Sequence, residues 1–86
     1  ISVTGAVAWN IGIRNGSAGY ATPGQIFTIR VINISGGVIT NPTFDSNMKT
    51  AGAFTSPATG YNRSITFLFN GTNFIELYRT SADVAN

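Results

Sequence analysis

The strongest constraint on this chain is a two-residue alternation of side-chain character, broken about every ten residues by Gly, Pro or Asn. A period of two places successive side chains on opposite faces of an extended strand, whereas helices repeat every 3.6 residues. The pattern is clearest from Gln25 to Ile34. There Ile26, Thr28, Arg30, Ile32 and Ile34 share one face, and Phe27, Ile29 and Val31 share the other. Both faces are largely apolar, which predicts a strand that is central or covered on both sides. No window combines a sustained helical period with capping residues, so essentially no helix is expected.

The remaining segments follow the same rule. Val3, Gly5, Val7, Trp9, Ile11 and Ile13 alternate along a first strand within Ser2 to Ile13, with Gly5 and Gly12 positioned to bend or bulge it. A loop follows from Arg14 to Gly24, where Pro23-Gly24 suits the two central positions of a type II turn. Ser35-Gly36-Gly37 leads into a strand from Val38 to Phe44, in which Pro42 marks an edge or bulge. Asp45 to Gly60 is the least regular stretch, with room for one short strand around Lys49 to Phe54. Arg63 to Phe69 and Thr72 to Arg79 flank Asn70-Gly71, the strongest short hairpin signal. A two-residue loop there pairs Phe69 with Thr72, Phe67 with Phe74 and Ile65 with Glu76. A three-residue loop pairs Phe67 with Ile75 and Ile65 with Leu77. Asn-Gly favours the first, since Thr72 is a poor residue for the left-handed position that the longer loop requires. The expected fold is all-β: a small antiparallel β-sandwich of about five to seven strands, jelly-roll-like, forming a single domain over residues 1–86.

Charge narrows the function. Only 9% of the residues are Asp, Glu, Lys or Arg, against roughly 25% in an average soluble domain. Arg14, Arg30, Lys49, Arg63 and Arg79 are scattered, so the dense basic patch of a nucleic-acid binder is missing. With no His and no Cys the chain lacks the commonest general base, a thiol nucleophile and the usual zinc ligands. Asp45, Glu76 and Asp83 are its three acids, too few for a carboxylate-pair glycosidase, and Asp45 with Asn47 falls short of a calcium loop. The expectation is a non-enzyme with no cofactor and no metal. No apolar run reaches the ~20 residues that span a bilayer, so no membrane partner is expected. A start at Ile1 without a leader-like segment suggests a processed fragment, one module of a longer chain.

Several stretches carry a resemblance. They are Val31-Ile-Asn-Ile-Ser-Gly-Gly37, Thr43-Phe44, Lys49-Thr-Ala-Gly-Ala-Phe54, Pro57-Ala-Thr-Gly60, Arg63-Ser-Ile-Thr-Phe67, Asn70-Gly-Thr-Asn-Phe74, Glu76, and Arg79 to Asn86. Together they resemble the small C-terminal β-domain of phage tailspikes and tail fibres, and of related pectate-lyase-like parallel β-helix proteins. In that family an aromatic hairpin around a DGTNW-like turn is followed by Glu and by Arg-Ser/Thr; here Asn70 stands in place of Asp and Phe74 in place of Trp. The match runs from about Gly24 to Asn86, and the segment before Gly24 has no counterpart. The resemblance implies a non-catalytic, homotrimeric C-terminal domain of a viral appendage, located on the virion or outside the cell, that trimerises the appendage or positions it at a surface.

The candidate residues have plainer readings beside these. Trp9, Phe67, Phe69 and Phe74, with Arg63, Glu76 and Arg79, are candidates for the oligomer interface or for a structural role. The aromatics could equally fill the core, and the charges could be an exposed cross-strand pair worth about 0–1 kcal/mol. Tyr20 and Tyr61, in Gly-rich loop segments, are candidates for stacking on a host-surface glycan. Four Asn-X-Ser/Thr triplets begin at Asn15, Asn33, Asn62 and Asn70, and in a chain so rich in these residues such triplets also arise from composition alone. The two functional alternatives to the appendage domain are a carbohydrate-binding β-sandwich and a subunit of an extracellular β-filament.

Overall fold

The computed structural model describes residues 1–5, 7–13 and 21–86. Among them the regular structure is all strand: β1 (Ser2–Val3), β2 (Asn10–Ile11), β3 (Ile26–Asn33), β4 (Thr43–Phe44), β5 (Met48–Lys49), β6 (Tyr61–Phe69), β7 (Phe74–Arg79) and β8 (Val84–Ala85). The chain is an all-β domain, sandwich-like, with eight strands because five of them are only two residues long. The three long strands form an antiparallel centre in the order β3-β6-β7. β1 joins β3 and β5 joins β7 as parallel edges, and β8 pairs antiparallel with the start of β6. β2 and β4 make a separate parallel pair, so the sheets are mixed rather than purely antiparallel.

The second layer is built on the inner face of the large sheet. Phe27, Ile29 and Val31 of β3 lie directly across from Phe67, Ile65 and Arg63 of β6, and directly paired residues share a face. Val31, Ile65, Phe67, Phe69 and Phe74 are buried there with Ile11, Ile39, Met48 and Phe54 from the rest of the chain. Phe44 of β4 meets Phe54 edge-on with ring centroids 6.2 Å apart and lies 6.0 Å from Phe67, which joins the β2–β4 layer to the sheet. Burying one such aromatic contributes roughly 1.5–3 kcal/mol.

Several expected strands change shape. Ser2 to Ile13 is divided between the layers, as β1 in the large sheet and β2 in the small one. Gly12, just past β2, is a close approach: a Cβ there would overlap the Asp45 carboxylate. Of Val38 to Phe44 only β4 is strand, Pro42 being buried immediately before it. The short strand expected within Lys49 to Phe54 is Met48–Lys49. Pro23-Gly24 turns as expected: the Gln25 N–H donates to the Thr22 carbonyl at 2.9 Å and Gly24 has a φ of 91°, the type II geometry that glycine accepts freely.

One expectation is met in its first alternative and another is corrected. β3 is central, with β1 on one edge and β6 on the other, but only one of its faces is covered within the chain. Ile26, Thr28 and Arg30 are exposed. The hairpin has neither of the weighed registers. Phe69 pairs with Phe74 across a four-residue loop, Asn70 to Asn73, and a bulge between Thr66 and Phe67 carries the pairing from Phe67–Glu76 to Thr66–Tyr78. The Asn70 side chain replaces the tight turn by accepting from the Thr72 and Asn73 N–H groups at 2.9 and 2.8 Å. The Phe69 and Phe74 rings, 4.7 Å apart and both buried, then set the register.

Candidate functional site

The hairpin charges are occupied within one chain. Arg79 faces Glu76 through two bonds, its Nε to Oε2 and an Nη to Oε1, each 2.7 Å. Its remaining N–H groups donate to the carbonyls of Ala53 and Gly52, and the Ala51 N–H donates to Glu76. The pair therefore clamps the loop that follows β5 onto β7, with the guanidinium 5.9 Å from the centroid of the Phe54 ring. The Arg79 bond holds the Glu76 carboxyl below its usual range and raises Arg79 further. Arg63 does the same for the C-terminal turn, its Nε donating to Asp83 at 2.6 Å while Asp83 also accepts from the Ala58 N–H. Asp83 is likewise held low by Arg63. Arg63, Glu76 and Arg79 are internal staples in this chain, and Phe67, Phe69 and Phe74, at most 4% exposed, are core.

Two residues outside the expected set organise the loops. Asn33 is fully buried. Its amide donates to the carbonyls of Gly37 and Pro57, its Oδ1 accepts from the Ser35 N–H and hydroxyl, and its own carbonyl accepts from Gly60. Asn62 uses its amide on the carbonyl of Val84 and on Asn86. Their Asn-X-Ser/Thr triplets thus present amide nitrogens that are buried and already bonded. For Asn33 the signal legible in the sequence is an Asn between Ile32 and Ile34 on a strand; Asn62, between Tyr61 and Arg63, carries no such signal. Tyr61 opens β6 with 42% of its surface exposed. Tyr20 lies outside the described residues, as does the triplet at Asn15.

The outer face of the large sheet is only partly covered among the described residues. Across it Ile26 pairs with Leu68, Leu68 with Ile75 and Ile75 with Lys49, so three apolar side chains run abreast over β3, β6 and β7 and end on a cation. The next row is Thr28, Thr66 and Tyr78, its two threonine hydroxyls bonded to each other at 3.0 Å. Ile26 and Tyr78 are 59% and 65% exposed. Arg30 and Lys49 lie on this face and no acid does, because Glu76 and Asp83 are held in the two ion pairs and Asp45 belongs to the second layer.

Trp9 sits at the end of that second layer, half-buried against the core, and lines a shallow recess of about 400 Å³ with Ala8, Asn10, Thr40, Asn41 and Thr43. Its indole N–H donates to the Thr40 carbonyl at 2.7 Å, which fixes the ring. Beside it the Thr43 hydroxyl donates to Asn10 and the Asn10 amide donates to Asp45. Among the described residues no group of three or more His, Cys, Asp or Glu could hold a metal, and no helix is long and apolar enough to cross a membrane. No protein-family model, curated protein or solved structure matches the chain.

Proposed function

We propose that this chain is a non-catalytic structural module that associates with copies of itself as a homotrimer, as a terminal β-domain of a viral tail fibre or tailspike would, on the virion or outside the cell. The observation that carries this reading is the apolar outer face of the large sheet, where Ile26 and Tyr78 are exposed and Leu68 and Ile75 are only half-buried among the described residues. Exposed apolar surface of this kind marks an interaction site, and a covered face restores the two-sided burial that the pattern of β3 calls for. Charge bears on the symmetry. A two-fold contact sets a patch against itself, which here would bring Arg30 and Lys49 toward their own copies with no acid between them. Packing the face against a different surface of the next copy avoids this, and such head-to-tail contacts form a ring where the rotation closes and an open filament where it does not. The occupied acids support a non-catalytic role, since Glu76 and Asp83 are held by arginines and Asp45 by an amide.

Sedimentation analysis at about 10 µM is expected to give a species of three times the 9.1 kDa chain mass. Ile26→Glu, a change at an exposed position, is expected to give a folded monomer. A wild-type monomer at that concentration overturns the proposal, and open-ended polymers in electron micrographs select the filament reading instead.

A further inference from the structure

The recess beside Trp9 is separate from the apolar outer face, because it lies at the end of the β2–β4 layer while that face is the opposite side of the large sheet. We infer that it is a binding site for a neutral saccharide, with one pyranose ring stacked on the Trp9 indole. The chemistry of the lining selects this class. An indole offers a flat apolar surface for the C–H face of a sugar ring, and here its orientation is already fixed by the bond to the Thr40 carbonyl. Around it stand two amides, Asn10 and Asn41, and two hydroxyls, Thr40 and Thr43, the groups that serve as both donors and acceptors toward sugar hydroxyls.

Three of these four groups are held before any ligand arrives. Thr43 donates to Asn10, Asn10 donates to Asp45, and the Asn41 Oδ1 accepts from the Ser56 N–H at 2.8 Å. The Asn41 amide nitrogen is left without a partner among the described residues, so it is the donor available to a ligand. A site whose side chains are already ordered loses less entropy on binding. Charge decides between sugars: no lining residue is cationic, and the Asp45 carboxylate stands behind Asn10, so uronates and other acidic sugars are disfavoured. A recess of about 400 Å³ lies near the small end of ligand sites, roughly 300–1,000 Å³.

Trp9 is the one tryptophan of the sequence, so fluorescence excited selectively at tryptophan, away from the three tyrosines, reports on this recess. The expected result is a saturable change in emission on titrating the full chain with methyl glycosides of glucose, galactose and mannose and their disaccharides, with at least one binding at about 1 mM. Glucuronate is expected to bind at least tenfold more weakly. Asn41→Asp keeps the oxygen that accepts from Ser56, removes the donor and adds a negative charge; it is expected to weaken binding at least tenfold with Trp9 intact. Trp9→Phe, followed by amide chemical shifts, is expected to weaken it as well while leaving the fold unchanged. No saturable change for any neutral sugar up to about 50 mM, or equal affinity in the Asn41→Asp chain, overturns the proposal.

Discussion

At the scale of single residues the chain depends on a few amides that substitute for charge. Asn33 satisfies four partners with its side chain inside a site with no solvent exposure, where an unmade hydrogen bond costs about 1–3 kcal/mol. Asn33→Asp is isosteric, yet it sets a second oxygen against the carbonyls of Gly37 and Pro57 and adds a buried charge. It is expected to destabilise the fold by about 3 kcal/mol or more, measured by urea unfolding, and by more than Asn33→Ser. The asparagine is plain in the sequence, as are its neighbours Ser35 and Gly37, which take three of the four bonds; the fourth, to the Pro57 carbonyl, is one that only the fold brings to it. Gly24 is the opposite case, since Pro23-Gly24 specifies its turn from two adjacent residues.

At the scale of elements the hairpin shows why local signals stop at existence. Asn70-Gly71 marks where the chain reverses, but the loop length depends on Phe69 and Phe74 both reaching the core and on the bulge that leaves Glu76 and Arg79 on one side to form their pair. Replacing Asn70 with Ala removes two turn bonds and is expected to cost about 1 kcal/mol. The ion pairs predict the acid response. Glu76 and Asp83 have folded pKa values below their unfolded ones, near 4.3 and 3.9, so their stabilisation is complete above those values and is lost as pH falls through the lowered ones. With no His or Cys to titrate, the melting temperature is expected to be flat from about pH 5 to 7 and to drop below about pH 4. Glu76→Gln is expected to lower it at pH 7, by about 1–2 kcal/mol of stability, and to shrink the acid drop.

At the scale of the whole molecule the outer face links stability to concentration. If copies cover it, the folded state is favoured by mass action, and the melting temperature of the wild type is expected to rise between about 5 and 500 µM. In Ile26→Glu it is expected to stay constant, because that side chain is 59% exposed in one chain and its loss leaves the core untouched. A wild type whose melting temperature ignores concentration would leave the assembly reading without support.

By itself the sequence determined the class: alternation over Gln25 to Ile34 and along the terminal hairpin requires strands, because period and turn chemistry are properties of neighbouring residues. It also determined that imidazole and thiol chemistry are missing, because the chain contains no His and no Cys. Only the tertiary structure decided that Ser2 to Ile13 is shared between two layers, which face of β3 is buried, that Arg63 and Arg79 face acids of their own chain, and that Trp9 ends up beside Thr40 and Asn41. Each of these is a choice among long-range partners. It is settled by which apolar side chains can be buried together, and no local pattern records that.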